Sequence, residues 1–178
     1  ANIHSIISTA RIYDTAGIQS SVGGVQRINS PTNQSEKVAS MIGGTVAKNI
    51  GLTPPVGWRN TCAIRMSYIL NHSGMPVPRI VGKTVSGADK KWYFYRVRDL
   101  IDFLTQRWGR ADLMLPFPVA RNDGMSEKHG VILFEVSGWQ DASGHASLWD
   151  GSRCYDHCYF NQDGANYRTN RASFWSLP

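Results

Sequence analysis

Apolar side chains recur at three- and four-residue spacing as far as Trp108, and β-branched runs bounded by turn residues take over after Gly130. A helical period does not settle as a strand, nor an alternating one as a helix, so the order restricts the fold to helices first and strands last. Val38, Met41, Ile42, Val46 and Ile50 predict a helix over 35–50, with Ser35 as N-cap and Gly51 as stop, although Gly43-Gly44 weakens its middle. The run Leu52-Thr53-Pro54-Pro55-Val56-Gly57 cannot continue that helix, because proline lacks the amide donor and forces its predecessor toward extended geometry. A second helix is expected from Cys62 to about His72, capped by Asn60 or Thr61 and stopped at Gly74. A third runs from Arg98 to Trp108 and ends at Gly109, and strands are expected at 130–136, 146–149 and 154–160. Residues 1–30 read as irregular chain with at most one short strand. The sum is an α+β fold in which N-terminal helices pack on a small antiparallel sheet, and 178 residues are the size of one domain, 1–178.

Six Trp, seven Tyr and six Phe within a 42% apolar composition supply core enough to exclude intrinsic disorder. The stretch Val38 to Ala47 is far shorter than the roughly 18 to 20 apolar residues of a bilayer span, so no membrane insertion is expected. With Ala1 first and no charged-then-apolar leader, a Sec-type signal is expected to be absent or already removed. A net charge of +6 favours polyanions, but only Lys90-Lys91 are adjacent, and scattered charge of this kind argues against a nucleic-acid groove.

Three cysteines divide into a singleton, Cys62, and a pair four positions apart, Cys154 and Cys158. The pair admits a disulfide, two thiols, or part of a metal site with His157, for which no second set of ligands is evident. Cys62 falls in the first turn of a helix, where unpaired amides and the positive dipole end favour a thiolate. An isolated cysteine is more often a small core residue, so the nucleophile reading requires a basic partner. Of five histidines, His72 lies about 15 Å along the same helix and cannot reach. His4 lies in irregular chain and His129 flanks a strand. His145 opens a strand behind Gly144, with the short Ala146 and Ser147 leaving room around its ring.

Asp150-Gly151 is a two-residue hairpin signal. Placed at the centre of the turn, it pairs Trp149 with Ser152 and His145 with Asp156, on one face of the ladder. Asp150 itself is roughly 16 Å from His145 and on the other face. On a straight strand Cys154 and Cys158 would stand about 13 Å apart, beyond the roughly 7 Å that a disulfide tolerates between Cα atoms. A bridge therefore demands a bulge or turn around Asp156, with Asp141 as the reserve partner for His145.

The string Gly57-Trp58-Arg59-Asn60-Thr61-Cys62-Ala63-Ile64-Arg65-Met66-Ser67-Tyr68, with Leu70-Asn71 and Ser73-Gly74 after it, resembles the fourth family of bacterial type VI secretion amidase effectors. The segment Gly138-Trp139-Gln140-Asp141-Ala142-Ser143-Gly144-His145, followed by Leu148-Trp149-Asp150-Gly151, is similar to that family's histidine motif. The resemblance covers about residues 57–74 and 138–160 and implies a papain-like cysteine amidase fold, related to the NlpC/P60 cell-wall peptidases. It implies cleavage of the bond between D-glutamate and meso-diaminopimelate in peptidoglycan stem peptides, with Cys62 as nucleophile, His145 as base and Asp156 as third member. A cognate immunity protein that blocks the active site, a secretion-system delivery component and action in a rival cell's periplasm are further implications. A Cys154 to Cys158 disulfide would suit that destination.

The chemistry so implied needs neither metal nor cofactor. The Cys62 amide is the natural oxyanion donor, the second donor is not named by the sequence, and Arg59 and Arg65 are candidates for the substrate's carboxylates. A cysteine protease acting on proteins would share this triad, and a non-catalytic basic wall-binding module would need none of it.

Overall fold

The computed structural model describes residues 31–52, 61–138 and 144–177, the side chains of 31–34 excepted. The chain divides into two compact units, 1–95 and 96–178. The irregular reading of 1–30, most of the proline break, Arg59, Asn60 and the reserve Asp141 lie outside the described residues.

In the first unit the helix expected over 35–50 is two helices, α1 (Pro31–Ile42) and α2 (Gly44–Ile50). Gly43 at φ 67° breaks the chain direction, and the amide of Ala88 bonds to the Ile42 carbonyl at 2.9 Å. A Cβ on Gly44 would meet the Gly87 carbonyl carbon at 2.6 Å, so the glycine pair is where a loop crosses the helix axis. Ser35, expected as a cap, is buried inside α1 because the helix begins four residues earlier. Helix α3 (Cys62–Asn71) ends one residue before the expected position, with Gly74 at φ 83° just beyond it. Thr61 occupies the cap position but its side chain makes no capping bond. Val38, Ile42, Val46, Ile50, Ile64 and Tyr93 form one core cluster.

A two-stranded ribbon, β1 (Thr84–Ser86) and β2 (Trp92–Phe94), completes the unit. Two polar residues one helical turn apart tie α3 to it. Ser67 accepts from the Phe94 amide at 2.9 Å and donates to the Ala63 carbonyl at 2.8 Å, while Asn71 donates to the Trp92 carbonyl and accepts from the Val77 amide, both at 2.8 Å.

In the second unit α4 (Val97–Trp108) ends at Gly109, as the periodicity implies. The antiparallel sheet has the order β3-β6-β4-β5, from β3 (Leu113–Pro116), β4 (His129–Ser137), β5 (Gly144–Trp149) and β6 (Arg168–Leu177). Its core is built on Ile132, Phe134, Trp149, Ala172 and Phe174, and α4 packs on β4 and β5. The architecture is α+β with an antiparallel sheet, as expected, but the strand expected over 154–160 is absent. Only an isolated bridge between Trp149 and Cys154 forms there. The sheet's interior place is taken instead by β6, whose many polar residues hide it from a hydrophobic pattern.

Candidate active site

Cys62 is the first residue of α3, is buried, and lies outside the disulfide. A helix offers no internal acceptor for the amides of its first turn, so the thiol sits at the end where negative charge is best tolerated. Arg65, three residues on, is also buried.

His145 is the second residue of β5, paired with Phe134 of β4. Gly144 before it does what a larger residue could not: an added Cβ would lie 2.5 Å from the Phe134 carbonyl oxygen and 2.9 Å from Val97 Cγ1. The imidazole is buried, and its Nε2 stands 3.0 Å from Asp156 Oδ2, so the structure brings together the histidine and the carboxylate that the sequence singled out. Tyr159 packs its ring edge-to-face on the imidazole at a centroid distance of 4.8 Å.

The route to this pair differs from the two-residue turn. The Asp150 carboxylate Oδ1 accepts from the amides of Ser152 and Arg153, both at 2.9 Å, and from the Ser152 hydroxyl at 3.2 Å. Burial works to raise its pKa, but these donors and the nearby Arg153 charge outweigh it and hold the carboxyl below its ordinary value. This self-capped loop is two residues longer than the expected turn, so Trp149 pairs with Cys154 rather than with Ser152. The ladder goes no further than this bridge, so Asp156 is placed by the turn that follows Cys154 and not by strand register. Ser147, two residues beyond His145 on the same face of β5, donates its hydroxyl to the Asp156 carboxylate.

Cys154 and Cys158 form a disulfide with Cα atoms 5.3 Å apart, and the chain between them turns rather than extends. Asp156 is the central residue of that small ring. Its Oδ1 accepts from the His157 amide at 2.5 Å and from the Ser147 hydroxyl, leaving Oδ2 toward His145. Ser147 was missed by sequence reasoning, although its position two residues beyond His145 on the same strand face was the available signal.

Of the other histidines, His4 lies outside the described residues. His72 caps α3, with its ring 4.2 Å from that of Tyr68 and its Nε2 4.0 Å from Asp89. His129 is exposed at the start of β4, and His157 packs on Tyr159. Among the described residues no group of three or more His, Cys, Asp and Glu could hold a metal ion, and no helix is long and apolar enough to cross a membrane.

Residues 58–175 match the family model described as type VI secretion system amidase effector protein 4, Tae4. Among solved structures, the Tae4–Tai4 effector–immunity complex from Enterobacter cloacae is 41% identical with a TM-score of 0.70, over 81% of this chain and 89% of that one. The effector Tae4 from Salmonella typhimurium, bound to the immunity protein Tai4 of Enterobacter cloacae, is 38% identical with a TM-score of 0.68, over 86% and 93%. Tae4 from Enterobacter cloacae by itself is 41% identical with a TM-score of 0.69, over 81% and 87%. No curated protein matches the chain. The class so defined is that of amidase effectors of type VI secretion, which are hydrolases. The chain belongs to the Tae4 family.

Proposed function

We propose that the chain cleaves the D-glutamyl to meso-diaminopimelate bond of peptidoglycan stem peptides, with Cys62, His145 and Asp156 as its catalytic residues and 1–178 acting as a single amidase domain. The observation that supports this reading most is the 3.0 Å contact between the buried His145 Nε2 and Asp156 Oδ2. With Asp156 Oδ2 beside Nε2, Nδ1 is the ring nitrogen assigned here to take the Cys62 proton.

In this mechanism Nδ1 of His145 removes the Cys62 proton, and the thiolate attacks the amide carbon while the carbonyl electrons move onto oxygen. The amide of Cys62 donates to that oxyanion. Collapse breaks the C–N bond, and His145 returns its proton to the leaving amine of diaminopimelate. Water, deprotonated by the same imidazole, then opens the thioester and releases the D-glutamyl carboxylate and the thiol. Asp156 stabilises the imidazolium at both stages. Arg59 and Arg65 remain candidates for the substrate's carboxylates.

Relatives solved with bound Tai4 support a cognate immunity protein for this chain as well. As a type VI effector it would be delivered by that system into a target cell's periplasm, where the wall lies. Digesting purified muropeptides and measuring product masses tests the bond: a new diaminopimelate amino terminus is expected, and cleavage at another bond, or none by folded protein, overturns the reading.

A further inference from the structure

We infer that Ser147 is a positioning residue of the amidase site, holding Asp156 through Oδ1 so that Oδ2 faces the imidazole. This rests on the reading of His145 and Asp156 given above. A carboxylate on a short side chain can rotate and exchange its two oxygens unless one of them is occupied. Here Oδ1 receives two donors, the Ser147 hydroxyl and the His157 amide, and Oδ2 is the oxygen 3.0 Å from Nε2.

The Ser147 hydroxyl has one proton and two acceptors in reach, Asp156 Oδ1 and the Leu148 carbonyl at 3.3 Å. The closer, charged acceptor takes it, because hydrogen bonds to an ionised group are shorter and stronger. Ser147 is itself buried on β5, so water does not readily replace the bond. Donation to Oδ1 fixes the rotation of the carboxylate, so Oδ2 stays on the imidazole that takes the proton in the mechanism above. The device also explains how a residue at the centre of a five-residue disulfide ring keeps a fixed orientation: the ring limits where its backbone lies, and Ser147 limits where its carboxylate points.

The test is a double-mutant cycle of wild type, Ser147→Ala, Asp156→Ala and the double variant, with kcat and KM measured on purified muropeptides and melting temperatures recorded alongside. Ser147→Ala is expected to lower kcat about tenfold with KM unchanged. In the Asp156→Ala background the same change is expected to cost less than about twofold, because residues acting through one another are not additive. Asp156→Ala at the wild-type rate overturns the reading of the site itself. An impaired Asp156→Ala combined with a Ser147→Ala that matches wild type, raises KM alone, or multiplies with Asp156→Ala overturns the role of Ser147 alone. Ser147→Thr, which retains the hydroxyl, is expected to recover kcat, and a well-folded Ser147→Thr as impaired as Ser147→Ala counts against the inference.

Discussion

Removing the disulfide separates its stabilising role from its catalytic one. Cys154 and Cys158 are four positions apart, so the bridge closes a very short loop. The chain-entropy relation for a loop of that size predicts a loss of about 2 kcal/mol on opening it. For a chain of this length such a loss corresponds to a fall in Tm of roughly 4 to 8 °C. The bridge also confines Asp156, and an unconfined carboxylate spends less time on the imidazole. Cys154→Ala/Cys158→Ala is therefore expected to lose kcat by more than the small fraction of unfolded protein explains. Urea titration gives the first quantity, and muropeptide cleavage well below Tm gives the second. A stability loss of the expected size with wild-type kcat would refute the argument that the ring holds Asp156 for catalysis.

Ser67→Ala removes the buried hydroxyl that accepts from the Phe94 amide and donates to the Ala63 carbonyl, and is expected to cost about 1 kcal/mol in urea unfolding, with little effect on KM. Stability is expected to fall on acidification in two windows. Burial and Lys91 push His72 below its ordinary 6.5 against the opposing pull of Asp89, so its contribution is full above 6.5 and is lost as pH falls through the lowered folded value. Asp150 is held below 3.8, so its contribution is present above that pH and disappears as pH falls further. Urea midpoints across pH 7.5 to 2.5 check both, with His72→Gln flattening the first window and Asp150→Asn the second.

The parts of the fold that depend on local periodicity were legible in the sequence. Helices α3 and α4 follow from apolar spacing and terminal glycines, and β4 and β5 from their β-branched and apolar content. Helix α1 was only half legible, because Gly43-Gly44 reads as a weak spot until the crossing loop at Gly87 and Ala88 is seen. Strand β6 was invisible for another reason: Arg168, Asn170 and Arg171 face outward, and a register shift opposite Glu135/Val136 breaks its alternation. His145 and Asp156 meet although the expected ladder does not form, because the disulfide folds the chain from Cys154 to Cys158 into a turn that brings Asp156 back beside β5. For Ser147 the sequence offered only its place two residues beyond His145 on the same strand face, and which carboxylate it meets is decided by the turn that the disulfide closes around Asp156.

The most direct test of the account is the initial rate of muropeptide release from purified sacculi by Cys62→Ala beside wild type, with both proteins shown to be folded by their melting curves. Removing the nucleophile is expected to abolish release while leaving Tm within a few degrees. Release by folded Cys62→Ala at a rate comparable with wild type would contradict the cysteine mechanism.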